Sequence, residues 1–288
     1  MKLARYGTCG CEKPGLIDGE GKLRELSGHI PDITGSDLSD ESLARLAALD
    51  PKTLKAVEGT VRFGAPFSGV GKIICVGLNY TDHAKEAGLP IPTEPLLFLK
   101  GCTPTGPNDA IALPPKSTHG DWEVELAVVI GKQGLNIDRA SALEHVAGYC
   151  VFNDFTDREF QLDRGGQWTK GKSFPGFAPL GPWLVTRDEV PDPGKLQLWL
   201  EVNGTRRQQG STENLIFSVP YVIAYISEFM VLNPGDIIAT GTPAGVGAGH
   251  KPNPIFLTDG DRVSLGIEGL GTQVQRVVSW EKHLERRS

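Results

Sequence analysis

The run Leu126-Ala-Val-Val-Ile130 has no polar residue to set up an alternation, and two glutamates, Glu123 and Glu125, stand directly in front of it. A strand that is apolar on both faces has to be covered on both faces, so any fold of this chain must place the segment between layers. Side chains two apart on a strand leave the same face, so the two carboxylates of Glu123 and Glu125 point together. Like charges on a largely buried strand repel and are poorly solvated, and a cation between them removes both penalties. Glu-x-Glu is also the pattern of a solvated strand face, and spacing alone leaves that alternative open.

A second apolar strand, Val146-Ala-Gly-Tyr-Cys-Val-Phe-Asn153, ends at Asp154. A third carboxylate at a strand end beside the pair would make three oxygen ligands. Magnesium takes six hard oxygen ligands and leaves the remaining positions to water or substrate. Three carboxylates and a divalent ion leave a net charge of about −1, so an anionic substrate needs further cations. Arg158, Lys170 and Lys172 are available.

The remaining pattern is strand-dominated. Strands are expected at Ile73 to Gly77, Leu96 to Lys100, Trp122 to Ile130, Leu196 to Val202, Ile237 to Thr240 and Arg262 to Ile267. Asn203-Gly204 predicts a hairpin, because both central positions of its turn need positive φ. Helices are expected near Asp82 to Ala87, Ala140 to His145 and Val219 to Met230. Because strands and helices do not alternate regularly, a doubly wound parallel sheet is not expected. The fold class is α+β and β-rich. Residues 1–65 read as a small separate α/β module, with strands at Leu3 to Tyr6, Gly15 to Asp18 and Lys22 to Leu26. Its helix is capped by Ser39, buries Leu43, Leu46 and Ala47, and ends at Pro51. The Gly- and Pro-rich segment from Phe63 to Gly71 reads as a linker, and residues 72–288 as the catalytic domain.

His83 and Glu86 are three apart on the short helix, so they share a face, and the carboxylate is placed to orient the imidazole. A capped surface helix with a charged face accounts for the same spacing. Arg158 and Gln161 either clamp a substrate oxygen or face solvent. Thr242 lies in a Gly/Pro-rich loop whose hydroxyl and backbone N–H groups suit a carboxylate, as an ordinary turn would also explain. His119, His145 and His250 have no constellation around them.

Composition bounds the partners. The net charge of −6 comes without a basic block, which argues against nucleic acid. The most apolar stretch, Leu215 to Leu232, is interrupted by Pro220 and Glu228 and is too short to span a bilayer. Met1 to Tyr6 lacks the apolar core of a signal peptide. Cys9, Cys11, Cys75, Cys102 and Cys150 have no framework spacing, and Cys9-Gly-Cys11 lacks the second pair or His that would complete a zinc site. The expectation is a cytoplasmic protein with reduced thiols.

Taken in order, several segments resemble the fumarylacetoacetate-hydrolase family: Cys75-Val-Gly-Leu-Asn-Tyr-Thr-Asp-His83, Leu97-Phe-Leu-Lys100, Asp121-Trp-Glu-Val-Glu-Leu-Ala127, Asn153-Asp154, Arg158 with Gln161, Lys172-Ser-Phe174 and Thr240-Gly-Thr-Pro-Ala-Gly245. The resemblance implies a mixed β-roll catalytic domain, a homodimer, and Mg²⁺ or Mn²⁺ on Glu123, Glu125 and Asp154. It further implies a mobile segment carrying His83 and Glu86, with Lys172 as oxyanion stabiliser. The activity it implies is hydrolysis of a C–C bond in a small anionic 2-oxo acid, an acylpyruvate or another 2,4-diketo acid. The amino-terminal module and Leu265-Gly-Ile-Glu-Gly-Leu-Gly271 look closest to hydrolases of 2,4-diketo-3-deoxy sugar acids. Alternatives within the family are ureidoglycolate lyase and isomerases or decarboxylases of 2-oxo diacids from aromatic catabolism. A non-catalytic metal-binding protein would be expected to have lost a ligand or the dyad, and here His83, Glu86, Glu123, Glu125, Asp154 and Lys172 are all present.

Overall fold

The computed structural model describes residues 1–285; the expected end of the second unit, residues 286–288, lies outside them. In chain order the strands are β1 (Lys2–Tyr6), β2 (Lys13–Ile17), β3 (Leu23–Glu25), β4 (Ile73–Gly77), β5 (Leu96–Lys100), β6 (Ile111–Ala112), β7 (Gly120–Asp121) and β8 (Val124–Ile130). They continue as β9 (Val146–Asn153), β10 (Thr156–Asp157), β11 (Leu180–Thr186), β12 (Gln197–Val202), β13 (Thr205–Ser211), β14 (Ile237–Ala239), β15 (Arg262–Ile267) and β16 (Gly271–Val278). The helices are α1 (Asp40–Ala47), α2 (Thr81–Ala87), α3 (Thr169–Lys172), α4 (Val219–Phe229) and α5 (Trp280–Glu285).

Nine strands form one sheet in the order β3-β2-β1-β11-β9-β8-β14-β4-β5, and five form a second in the order β13-β12-β15-β16-β6. Pairing is antiparallel except for β14 with β4 and β16 with β6. This is the mixed, β-rich α+β class the sequence predicts.

The lack of alternation in β8 now has its cause. Leu126, Val128 and Ile130 enter one core, and Ala127 and Val129 enter another on the opposite face. The first core is completed by Leu198, Leu200, Val263 and Leu265 of the second sheet and by Val222, Ile223 and Ile226 of α4. Pro220 lies in the first turn of α4, where its missing N–H costs no helix bond, so it opens the helix rather than interrupting it.

The second core is closed by Leu26, Ile30, Ile33, Leu38, Leu46 and Phe67, all from the first 67 residues. The expected boundary between residues 1–65 and 72–288 therefore runs through a continuous structure. β1 pairs with β11, so the amino-terminal strands extend the large sheet rather than build their own. The segment from Phe63 to Gly71 is not a free linker. Phe67 and Ala65 are buried, Gly64 N–H donates to Arg5 O at 2.8 Å, and Ser68 N–H donates to Ile33 O at 2.8 Å. In α1, Ser39 caps as expected, but only Leu46 of the predicted stripe is buried; Leu43 is half-buried and Ala47 is exposed.

The Asn203-Gly204 turn has φ of 52° and 77°, as its hairpin requires. Five strands have no counterpart in the sequence reading: β6, β7 and β10, of two residues each, and the longer β11 and β16. β11 is obscured by Gly181-Pro182, which look like turn residues. β16 carries Gln273 and Gln275 at buried positions, which erases its apolar alternation. Among the described residues no helix is long and apolar enough to cross a membrane, and all five cysteines are unpaired.

If the segment from Phe63 to Gly71 is core rather than linker, Phe67→Ala should lower the unfolding free energy by about 3–5 kcal/mol. A surface linker would change it by no more than about 0.5 kcal/mol. Urea unfolding of the two proteins decides between these.

Candidate metal centre

Antiparallel pairing of β8 with β9 brings the start of one strand beside the end of the other, with Val124 opposite Asn153 and Glu125 opposite Phe152. Asp154 N–H donates to Glu123 O at 3.0 Å, so the third carboxylate arrives next to the first. One oxygen from each of Glu123, Glu125 and Asp154 lies within 4.8 Å of the others, and all three residues are buried.

The backbone between the glutamates is held by side chains from elsewhere. Asn153 Oδ1 accepts from Glu123 N–H at 3.3 Å, Gln208 Oε1 accepts from Val124 N–H at 3.0 Å, and the Thr242 hydroxyl donates to Val124 O at 2.9 Å. Gln208 Nε2 donates in turn to Thr242 Oγ1 at 2.8 Å, and Asn153 Nδ2 to Gln275 Oε1 at 3.1 Å. The Thr242 hydroxyl, read from sequence as a substrate contact, is thus engaged with the ligand-bearing segment, although the residue lines the cavity.

Cations surround the cluster. Lys172 Nζ donates to Glu123 Oε2 at 2.8 Å and to Asp154 Oδ2 at 2.7 Å. Lys100, fully buried, pairs with Asp154 Oδ1 and donates to Phe155 O. Arg158 Nε donates to Asp121 Oδ2 at 2.7 Å and its Nη1 to Gln161 Oε1 at 3.0 Å. Its Nη2 lies 2.7 Å from Glu123 Oε1, an ion-pair contact off the best hydrogen-bond direction. Lys170, available in the sequence, instead donates to Arg164 O at 2.7 Å on the surface.

Four buried carboxylates (Asp121, Glu123, Glu125, Asp154) therefore meet three buried cations (Lys100, Arg158, Lys172). One negative charge is left over, and the geometry locates it. Asp121 is satisfied by Arg158 and by Gly247 and Ala248 N–H at 2.7 and 3.0 Å. Burial raises the Glu123 carboxyl, but Lys172 and Arg158 outweigh it and hold the group below its ordinary value. Among the described residues Glu125 receives only the Gly241 N–H, at 2.9 Å. Burial, then the charges of Asp154 and Glu123, push its carboxyl well above the usual range. Lys172, despite burial, is raised by Asp154 and Glu123 and stays charged.

A divalent cation fits this arrangement. The donors are three hard oxygens, and metal–oxygen bonds of about 2.1 Å put octahedral ligand atoms roughly 3–4 Å apart. The under-compensated Glu125 is where its charge is needed. A loaded site carries one net positive charge, which suits a carboxylate ligand.

His83 and Glu86 lie on α2, with His83 Nδ1 3.1 Å from Glu86 Oε2. Glu86 Oε1 accepts from Gly245 N–H at 2.8 Å, so the carboxylate is pinned to the loop after β14. His83, Glu86, Glu123, Glu125, Arg158, Gln161, Lys172 and Thr242 all border one cavity of about 260 Å³, with Asp154 behind it. The structure gathers every residue expected to act in catalysis, metal binding or substrate binding, but not Lys170. It adds Lys100, Asp121, Asn153 and Gln208. Asp121 continues the Glu123, Glu125 spacing one step back, and Lys100 ends an apolar strand; both signals were present. Gln208 gave none, because its importance lies in a contact with a distant backbone.

Replacing Glu123 or Asp154 by Ala should abolish divalent-cation binding, read by calorimetric titration with Mg²⁺ and Mn²⁺. Gln208→Ala should weaken it by about 10–100-fold while the protein remains folded. For Glu125 the folded carboxyl binds its proton more tightly than the unfolded one. The stability this contributes to the metal-free protein is therefore present at low pH and lost as pH rises through the raised value. A cation replaces that proton, so the rise in Tm on adding metal should grow as pH rises from the ordinary carboxylate range through the raised value of Glu125, and a pH-independent rise would contradict the assignment.

Known proteins match this chain along nearly its whole length. The family model described as fumarylacetoacetate (FAA) hydrolase C-terminal matches residues 72–278. A Burkholderia cenocepacia protein, described no further than as a hydrolase, is 57% identical over 277 residues, covering 96% of this chain and 98% of its own. The solved fumarylacetoacetate hydrolase of the psychrophile Exiguobacterium antarcticum superposes with a TM-score of 0.84 at 35% identity, covering 97% of this chain and 99% of its own. Maleylpyruvate hydrolase from Sphingobium sp. SYK-6, solved in complex with manganese(II) and pyruvate, superposes with a TM-score of 0.79 at 30% identity, covering 97% and 99%. The chain belongs to the fumarylacetoacetate hydrolase family.

Proposed function

We propose that this protein is a Mg²⁺- or Mn²⁺-dependent hydrolase that cleaves the C–C bond between the two carbonyls of a 2,4-dioxo acid, yielding pyruvate and a carboxylic acid. The observation that carries this reading is the convergence on one cavity of the carboxylate cluster and the His83–Glu86 pair. A related protein with manganese(II) and pyruvate bound supports it.

A divalent ion on Glu123, Glu125 and Asp154 supplies Lewis-acid polarisation of a 2-oxo acid's oxygens. The chain's own residues do the rest. Arg158 and Lys172 add positive charge beside the substrate carboxylate. Glu86, fixed by Gly245, holds His83 through Nδ1, which leaves Nε2 to take a proton from water. The hydroxide attacks the distal carbonyl carbon, whose oxygen becomes negative. Lys172 spends two N–H groups on Glu123 and Asp154 and has a third for that oxyanion. Collapse breaks the C3–C4 bond, C4 leaves as the carboxylic acid, and the electron pair on C3 takes the proton held by His83. The same cluster would also accept the substrates of ureidoglycolate lyases or of isomerases and decarboxylases of 2-oxo diacids, since all present an oxygenated acid to the cation. A homodimer belongs to the same reading.

His83→Ala should leave divalent binding intact and lower hydrolysis of an acylpyruvate by about 10²–10⁴-fold. Pyruvate release, followed through a coupled dehydrogenase, measures the effect. Normal turnover by this variant would place water activation elsewhere.

A further inference from the structure

The lining of the cavity divides by chemistry. Beyond the charged residues it is built from Leu78, Phe98, Trp168 and Val246, with Leu89 and Leu162 toward solvent. Phe98 and Trp168 meet edge to face at 5.4 Å, and the Lys172 ammonium lies 5.1 Å above the Phe98 ring, so the apolar wall begins where the charged cluster ends. Leu89 and Leu162 are 48% and 53% exposed, although both border the cavity. A single exposed leucine calls for no explanation, but two on the lining of one apolar cavity mark a surface that a ligand would cover.

The polar side chains that could serve a hydroxylated ligand are few: beyond the charged cluster and the His83–Glu86 pair the lining offers Thr242, Gln161 and, at the rim, Lys251. The Thr242 hydroxyl already donates to Val124 O and accepts from Gln208. The Gln161 carbonyl oxygen accepts from Arg158. The Lys251 ammonium, at the rim, is directed to Ala87 O at 3.5 Å. A chain bearing several hydroxyl groups would give up water here for few partners, at a cost for each unpaired group. A hydrocarbon chain would gain from every area it covers.

We infer that this wall seats a hydrocarbon acyl group, so that the preferred substrate is a 2,4-dioxo acid whose distal carbonyl carries an aliphatic or aromatic chain rather than a polyhydroxylated one. The inference rests on the hydrolytic reading for the placement of the 2-oxo acid end at Glu123, Glu125 and Asp154. It replaces the sugar-acid expectation taken from the sequence with a substrate set by the lining.

The test separates binding from cleavage. Full-length protein loaded with Mn²⁺ is titrated calorimetrically with 2-oxohexanoate, its trihydroxylated counterpart (hydroxyls on the last three carbons), and pyruvate as the chainless reference. 2-Oxohexanoate should bind at least about tenfold more tightly than the trihydroxylated acid. Leu89→Gln combined with Leu162→Gln, both at exposed positions, should bring that preference within about threefold. Equal or tighter binding of the trihydroxylated acid overturns the inference, as does a preference that the double variant leaves intact. Acylpyruvate cleavage is assayed in parallel. Preference without cleavage sinks the hydrolytic reading alone, cleavage without preference sinks the acyl seat alone, and binding of none of the three acids sinks both.

Discussion

Glu125 is a carboxylate removed from water, flanked by two others, with one backbone N–H as its partner. The surrounding structure answers that electrostatic demand. Lys172 bridges Glu123 and Asp154, Lys100 rises from below onto Asp154, and Arg158 spans Asp121, Glu123 and Gln161. Burying an ion without such partners costs several kcal/mol. Three cations against four carboxylates leave Glu125, which lines the cavity, incompletely neutralised. That deficit is what makes the cluster a site for a divalent ion rather than an ordinary buried salt-bridge network.

Holding the carboxylates this close depends on rigidity from the two cores. β8 and β9 are packed on both faces, one by the second sheet and α4, the other by the amino-terminal segment. The first 67 residues therefore serve the site indirectly, by covering the face that would otherwise expose Ala127, Val129, Cys150 and Phe152. Where the ladder ends, Asn153, Gln208 and Thr242 take over the hydrogen bonds of Glu123 and Val124. Those side chains come from three different strands or loops, so the ligand segment is cross-braced rather than carried on a single loop.

The pair on α2 is tied to this frame through Glu86, whose second oxygen meets Gly245 N–H in the loop after β14. A side chain added at Gly249 would meet the Glu86 carboxylate at 2.3 Å, so the same loop must stay bare there for the pair to dock. With α2 lying against this loop, the His83–Glu86 pair and the carboxylate cluster border one cavity. The cavity they share is charged on one side and apolar on the other.

The sequence alone determined the strands whose periodicity is undisturbed, the Asn203-Gly204 turn, and the pairing of Glu123 with Glu125 on one face, because each is a local consequence of backbone geometry. It also put His83 beside Glu86, since three residues on a helix make one face. Asp154 joined the glutamates only through the ordered family motifs, and geometry later supplied the reason in the β8–β9 register. Gln208 acts on the backbone of Val124, more than eighty positions away, and no local pattern encodes such a contact. The same limit hid β16, where buried Gln273 and Gln275 are polar because they bond to distant carbonyls and side chains. It also made a linker of the segment around Phe67, whose glycines and prolines look like a tether until the core that Phe67 fills is assembled. Local chemistry selected the titratable groups; long-range packing decided which of them carry uncompensated charge and what kind of surface they face.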